Sequence, residues 1–278
     1  MSDNDDQLKL YYTPNHSCSY FDDRVARTIV ADPEAEISPE IFTRLSQLGF
    51  RRSSDQLYRP NCEECSQCIS VRIPVNKFKH SRRFRRVLNN NKDLSVSVAS
   101  DEFRDEHYAL YLDYLRSRHP DGNMKEMDED DYQDFMRTQW SRTKLIEIRD
   151  NQQLLGVAIT DTFNDGLSAM YTYYRTDLPK RSLGHFAILQ QIELAKSLEL
   201  PYLYLGFWIE DSPEMRYKLD YRPIELFDGQ QWHALDKNEG LVVEYLIVLG
   251  SVLRFCYTPR RLAQERTLFW KFEWQKKT

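Results

Sequence analysis

A chain of 278 residues, 41% hydrophobic and 13% aromatic, has enough apolar material for one large domain or two smaller ones around a substantial core, which excludes a disordered chain. Its formal charge of −5 excludes a protein that coats nucleic acid over its whole surface, and leaves room for one local basic groove on an acidic body. The start, MSDNDDQLKLYYTP, lacks the basic flank and apolar stretch of a secretory signal, so a cytoplasmic location is expected.

In chain order, the segment to residue 96 carries the clustered cysteines and most of the clustered arginines. Its clearest helix is ISPEIFTRLSQLGF: Ser38 is placed to cap, Pro39 suits the first turn, Ile41, Leu45 and Leu48 share a face, and Gly49 can close the end. From Ser100 a regular α/β pattern begins. Phe103, His107, Leu110 or Tyr111, Tyr114 and Leu115 recur at helical spacing. Tyr132, Phe135, Met136 and Trp140 do so again after the acidic run DEDD, which suits a helix N-terminus. KLIEIR, LLGVAITDTF and LSAMYTYY read as three successive strands turning at Asp150-Asn151 and at Asn164-Asp165-Gly166, most simply an antiparallel meander. LGHFAILQQIELAKSL then reads as a helix and YLYLGFWI as a buried strand; Ser212-Pro213 opens a short helix through Leu219, and RPIELFDGQQWHAL forms a final hairpin.

That order resembles the N-acyltransferase fold called GNAT, in which the acyl donor sits where the sheet splays between the third strand and the strand after the main helix. The expected fold class is therefore α+β. A GNAT-like acyltransferase domain over residues 97–237, with an antiparallel or mixed sheet flanked by helices, follows a smaller cysteine-containing basic domain over 1–96. Residues 238–278 form a C-terminal extension. Its apolar run LVVEYLIVLGSVLRFC is interrupted by Glu244 and Gly250 and is shorter than the roughly 20 residues a membrane span needs, so a packed or amphipathic helix and no membrane partner are expected. The basic, aromatic end RTLFWKFEWQKKT reads as surface packing.

Three features carry chemistry. In GNAT enzymes that use coenzyme A, an Arg/Gln-x-x-Gly-x-Gly/Ala turn at the start of the main helix offers backbone N–H groups to a pyrophosphate. Here the run is Arg181-Ser182-Leu183-Gly184-His185-Phe186. A phenylalanine in place of the last small residue is a poor fit for that cofactor, so no coenzyme A is expected. Next, Cys62-x-x-Cys65-x-x-Cys68 with Cys18 upstream supplies four soft ligands whose two-residue spacers let thiolates converge; zinc and an iron–sulfur cluster both fit. Cys256, isolated in the apolar tail, reads as a small buried thiol. Lastly, RIPVNKFKHSRRFRRVLNNNKDL gathers Arg72, Lys77, Lys79, Arg82, Arg83, Arg85 and Arg86, and arginine forks grip phosphates in pairs, so an RNA-backbone contact is expected.

Cys18-Ser-Tyr20, Gly49-Phe-Arg-Arg-Ser53, Tyr58-Arg-Pro60, the three-cysteine motif, Arg72-Ile-Pro74, the basic run from Ser81 to Leu94, Ser182-Leu-Gly184, Tyr202-Leu-Tyr204-Leu-Gly206 and Met215-Arg-Tyr-Lys218 together resemble the arginyl-tRNA-protein transferase family. Its bacterial branch, the aspartate/glutamate leucyltransferases, is the nearest match. The resemblance implies leucyl-tRNA as donor, proteins with N-terminal Asp or Glu as acceptors, and a product marked for N-degron proteolysis. An arginyl-tRNA donor and a small-acyl-coenzyme A GNAT enzyme are the alternatives. The sequence departs from the family pattern at Ser54, usually glycine, Phe84, usually glutamine, Asn89-Asn90, usually basic, and Glu214, usually lysine.

No Ser-His-Asp or Cys-His arrangement stands out among the six histidines. The implied reaction needs none. An aminoacyl ester is already activated and an α-amine, with a pKa of about 7.7 to 8.0, is partly deprotonated at cellular pH, so positioning and oxyanion stabilisation suffice. Tyr171, Tyr173, Arg181 and Ser182 are the expected catalytic groups. Arg175, Lys180, Gly184, Tyr204, Gly206, Arg216, Tyr217 and Lys218 are the expected substrate-binding groups, among them a cation for the acceptor's acidic side chain.

Overall fold

A computed structural model describes residues 8–118 and 127–235, together with the backbone of 267–269. The chain starts with β1 (Lys9–Tyr12), β2 (His16–Ser17), β3 (Val25–Ala26) and β4 (Thr28–Ala31). Then comes α1 (Pro39–Gln47), where the Ser38 hydroxyl accepts from the Ile41 amide at 3.2 Å, as the sequence predicts; of the expected face Leu45 is buried while Ile41 and Leu48 are half-buried, and Phe42 joins Leu45 inside. β5 (Arg51–Ser53) and β6 (Gln56–Pro60) form a hairpin whose turn holds Ser54 at φ 48, a left-handed conformation in which glycine would be unstrained. β7 (Ile69–Pro74), α2 (Arg82–Asn90) and β8 (Ser95–Ala99) complete the first third.

α3 (Asp105–Arg118) and α4 (Glu129–Met136) follow, the latter opened by a capping box in which the Asp128 side chain and the Asp131 side chain each accept from the other's amide. β9 (Lys144–Asp150), β10 (Gln153–Phe163) and β11 (Gly166–Tyr174) are the expected antiparallel meander. α5 (Leu183–Ser197) then crosses to β12 (Tyr202–Trp208), and β13 (Ile224–Phe227) with β14 (Trp232–Leu235) forms the terminal hairpin.

The described strands build a mixed α+β architecture around an eight-stranded sheet of order β14-β13-β7-β12-β11-β10-β9-β8. β7, from the cysteine-bearing segment, pairs antiparallel with both β12 and β13, and β8 pairs with β9. The segments on either side of residue 96 thus share one sheet. A five-stranded sheet, β15-β1-β4-β6-β5, includes β15 (Thr267–Phe269), so part of the end read as surface packing returns to pair with β1. The run LVVEYLIVLGSVLRFC and Cys256 lie outside the described residues.

Three cores hold these layers. Phe84 and Val87 of α2 and Phe186, Leu189 and Ile192 of α5 pack on one face of the large sheet. Leu110, Tyr111 and Leu115 of α3 and Tyr132 and Phe135 of α4 pack on the other, against Val157, Ile159 and Tyr173. Further along that second face, Phe163 and Tyr204 meet Phe42, Leu45 and Leu57, which seats the smaller sheet and α1. There Arg52 of β5 makes a buried fork to Asp161 of β10, at 2.6 and 3.0 Å, and donates to the carbonyls of Phe135 and Met136 at the end of α4.

β11 and β12 are neighbours joined in parallel, and they part. Their pairing runs only from Gly166–Tyr202 to Ser168–Tyr204, where Gly166 lies so close to the Tyr202 carbonyl that an added Cβ would come within 2.6 Å of it. Past this point each strand carries a bulge against its outer neighbour: Met170 is the extra residue of β11 and Leu205 that of β12. Gly206, at φ +79, completes the second bulge, a conformation disfavoured for residues with a Cβ. The two bulges bend the strands away from each other and open the sheet.

Candidate active site

The opening is a cleft of about 1060 Å³. Residues Ala169 to Thr172 and Leu205 line it where the strands part, Ser182 to His185 line it at the start of α5, Tyr114 and Arg118 come from α3, and Pro213 to Met215, Tyr217 and Lys218 close the far side. It exceeds the roughly 300 to 1,000 Å³ typical of sites for one small molecule, which suits the ends of two reactants.

The start of α5 is an uncapped helix terminus. Ser182 sits at φ 52 and its side chain makes no capping hydrogen bond, so the first-turn amides and the positive end of the dipole are left for a cleft ligand. Gly184 lies under the Tyr174 ring, whose Cε1 would stand 3.1 Å from an added Cβ, and Arg118 donates to the Tyr174 hydroxyl at 3.2 Å. Phe186, by contrast, is buried in the core beneath the helix. The crowding of this turn comes from Tyr174, not from the phenylalanine that the sequence points to.

Tyr171 lines the cleft with its ring packed on Tyr111 and Phe135; its hydroxyl is buried and lacks a hydrogen-bond partner among the described residues, and burial raises its pKa well above the ordinary phenol value. It is a proton-bearing donor. Lys218, 6% exposed, donates to the Phe207 carbonyl at 2.5 Å and to the Met215 sulfur at 3.2 Å; burial, aided by Arg51, pushes its ammonium down to about 7. Arg175 lines the cleft but is forked onto Asp177 at 2.6 and 3.0 Å.

The structure thus gathers Tyr171, Arg175, Ser182, Gly184, Tyr217 and Lys218 at the cleft, and places the other expected site residues elsewhere. Tyr173 is buried in the α3–α4 core with its hydroxyl 2.6 Å from that of Tyr132, because that face of β11 turns toward the helices. Tyr204 is buried on the second sheet face, donating to Asp165 at 2.9 Å and accepting from Arg72 at 3.0 Å. Arg181 is a clamp between elements, bound to Asp93 at 2.8 and 3.0 Å and to the Asn90 carbonyl. Lys180 and Arg216 are exposed off the cleft lining, and Gly206 shapes the bulge without lining the cleft. Tyr114, Arg118, Tyr174, His185 and Glu214 line the cleft unforeseen; the one available signal was Tyr114 and Arg118 sharing a helix face four residues apart.

The basic run divides in the same way. Arg72 is buried and paired with Glu225 at 2.7 Å, so it is no phosphate contact. α2 is capped by Ser81, buries Phe84 and Val87, and exposes Arg82, Arg83, Arg85 and Arg86. Phe84 stacks on Tyr221 with ring centroids 4.6 Å apart, a core role for a residue that departs from the family pattern. Arg83 is engaged with Asp220 and His185, whereas Arg82 and Arg86 make no ion pair or hydrogen bond among the described residues.

Cys18 lies beside the β2–β3 hairpin, and Cys62, Cys65 and Cys68 lie between β6 and β7; all four are free and half-buried. Burial first, and then proximity of Cys62, Cys65 and Cys18, pushes the Cys68 thiol up to about 12, and Arg24 donates to the Cys65 sulfur at 3.6 Å. The donor set fits a soft metal. No three of these sulfurs lie within 4.8 Å of one another, whereas a zinc tetrahedron with bonds of about 2.3 Å needs edges of about 3.8 Å. A different trio, Glu106, His107 and Glu147, does come together, but Arg104 and Arg149 already neutralise Glu147.

Two family profiles match: arginine-tRNA-protein transferase, N terminus, over residues 16–86, and arginine-tRNA-protein transferase, C terminus, over residues 106–228. The chain belongs to the arginine-tRNA-protein transferase family. The N-terminal match of this transferase family spans all four cysteines and the α2 arginines, and the C-terminal match spans every cleft residue named above. An aspartate/glutamate leucyltransferase of Alkalilimnicola ehrlichii is 48% identical over 227 residues, 81% of this chain and 95% of its own length. That of Alcanivorax borkumensis is 46% identical over 225 residues, 81% of this chain and 93% of its own. Among solved structures, the C-terminal domain of a lysylphosphatidylglycerol synthetase from Agrobacterium fabrum aligns with a TM-score of 0.40 at 11% identity, over 63% of this chain and 53% of that one, a likeness too slight to carry an argument. Among the described residues no helix is long and apolar enough to cross a membrane.

Proposed function

We propose that this member of the family transfers leucine from leucyl-tRNA to the N-terminal α-amine of proteins that begin with Asp or Glu, on a GNAT-like domain, and that the product is marked for N-degron proteolysis in the cytoplasm. The observation that carries this reading is the cleft between the parted strands β11 and β12, together with the names borne by relatives 46% to 48% identical to the chain.

The neutral amine attacks the ester carbonyl carbon and the C–N bond forms. The tetrahedral intermediate then collapses, the C–O bond to the terminal ribose breaks, and a proton lost by the nitrogen ends on the ribose hydroxyl. No covalent enzyme intermediate is required. The Tyr171 hydroxyl, the Ser182 hydroxyl and the first-turn amides of α5 are the groups that can donate to the developing oxyanion. Met170 and Leu205 offer apolar surface for a leucyl side chain. Arg82, Arg85 and Arg86 grip the RNA backbone. Tyr174, lying over Gly184, leaves little room there for the pyrophosphate of coenzyme A. The cysteines would hold an iron–sulfur cluster or zinc that ties the β6–β7 loop to the β2–β3 hairpin.

The test incubates the protein with leucyl-tRNA, arginyl-tRNA or acetyl-coenzyme A and with peptides beginning Asp, Glu or Ala, and reads the peptide mass. Leucine on the Asp and Glu peptides alone is the expected result. Arginine in its place would reassign the donor, acetylation would move the protein to the coenzyme A enzymes, and no addition from any donor would refute transfer.

A further inference from the structure

Three cations line the cleft. Arg175 is neutralised by Asp177 and Arg118 donates to the Tyr174 hydroxyl, both near the solvent. Lys218 is different. It is buried, and among the described residues no carboxylate pairs with it; two of its three N–H donors go to a carbonyl and a thioether, which leaves one for a ligand. Behind it lies a second cation in the same condition. Arg51 is 7% exposed, its Nη1 donates to the carbonyls of Ser46 and Phe50, and its Nε and Nη2 have no hydrogen-bond partner among the described residues. The two meet around Phe207: Lys218 holds the carbonyl, and the Arg51 guanidinium lies 5.9 Å from the ring centroid and 5.4 Å from that of Tyr204.

Two buried cations without an anion are costly, and proteins keep such groups where a ligand completes them. The missing component is an anion that enters from the cleft. A phosphodiester, flanked by sugars on both sides, does not fit a position this enclosed, whereas the carboxylate at the end of a short side chain does. We propose that Lys218, with Arg51 behind it, reads the side-chain carboxylate of the acceptor's first residue and so sets the preference for Asp and Glu. The assignment rests on acceptance of the acyl group in this cleft, as proposed above.

Calorimetric titration of the full chain with peptide pairs beginning Asp or Asn, and Glu or Gln, tests it without any transfer step. Acidic peptides are expected to bind about tenfold tighter or more, the range of a charge-assisted hydrogen bond to a desolvated partner. Lys218→Met, checked for folding by circular dichroism, brings the acid/amide ratio close to one, Lys218→Arg keeps a preference, and Arg51→Gln reduces it. The Arg51 variant stands as the test should Lys218→Met fail to fold. Equal binding of acid and amide peptides to the unaltered protein overturns the assignment, as does an intact ratio in folded Lys218→Met or in Arg51→Gln. A fall in kcat that is the same for both peptide types, with the binding ratio unchanged, makes Lys218 a base and also overturns it. Absent transfer with an intact acidic preference would count against the proposed reaction alone.

Discussion

Arg83, on the basic helix α2, donates a 2.8 Å hydrogen bond to Nε2 of His185, whose side chain lines the cleft. Because a guanidinium only donates, Nε2 accepts, which leaves the proton on Nδ1, 2.7 Å from the Tyr221 hydroxyl. Burial, reinforced by Arg83, holds His185 below the ordinary imidazole pKa, in keeping with that neutral tautomer. The pair ties the arginine-bearing helix to the rim of the cleft, so RNA held on that helix, as proposed, would have its end beside the parted strands.

Arg82 and Arg86 make no ion pair or hydrogen bond among the described residues and Arg85 spends only Nη1, on the His80 carbonyl at 3.3 Å, so all three can meet phosphates, whereas Arg83 is held by Asp220 and His185. Replacing the three together by alanine is expected to raise the KM for charged tRNA while leaving kcat near its original value. It should also flatten the slope of log affinity against log salt by about 2 to 3, at about 0.7 to 0.9 per lost phosphate contact. Binding measured across several salt concentrations checks this; an unchanged slope places the RNA elsewhere.

Lys218 makes stability depend on pH with a definite sign. Its folded pKa is pushed down to about 7 by burial and by Arg51, while an unfolded lysine titrates near about 10.4. Between these values the unfolded chain binds more protons, so stability rises with pH; below about 7 both states are protonated and the full cost of the buried charge is present. Lys218→Met is therefore expected to be more stable than the unaltered protein at pH 6, by roughly 2 to 4 kcal/mol, with the advantage shrinking toward pH 10. Urea unfolding at pH 6 and pH 9 decides it, and a gap that does not vary with pH contradicts it.

The buried fork between Arg52 and Asp161 ties β5, β10 and the end of α4 at one point. Asp161→Ala strands a desolvated guanidinium and should cost about 3 to 5 kcal/mol. Chemical denaturation measures the loss; a cost under about 1 kcal/mol would mean the pair is dispensable.

If the four cysteines hold a metal as proposed, Cys62→Ser and Cys65→Ser should each lower both the thermal midpoint and the metal content, because structural metal binding and folding are coupled. Elemental analysis of protein purified anaerobically in reducing buffer is expected to find iron or zinc. Finding neither would make the cluster a set of half-buried thiols.

Local signals in the sequence were sufficient for the elements that stand alone: the Ser38 cap of α1, the acidic start of α4, and the meander turning at Asn151 and Gly166. What the chain could not announce was pairing at long range. Ile69–Pro74 carries no mark that it will lie between strands more than a hundred residues later, and that insertion is what joins the cysteine-bearing segment to the large sheet. The site was legible to the same depth. Alternation along LSAMYTYY marks tyrosines on either face, but only packing decides that Tyr173 enters the helical core while Tyr174 covers Gly184. Counting charges likewise could not separate Arg181, consumed by Asp93, from Lys218, which has no anion among the described residues.

The central claim is that acyl transfer takes place where β11 and β12 part. A crystal structure with an amide-linked leucyl-adenosine, which imitates the end of the charged tRNA but cannot transfer, tests it most directly. The account predicts the leucyl carbonyl oxygen within hydrogen-bond reach of the Tyr171 hydroxyl or the first amides of α5, with the leucyl side chain near Met170 and Leu205. Density for the analogue at any other surface, with this cleft empty, would contradict it.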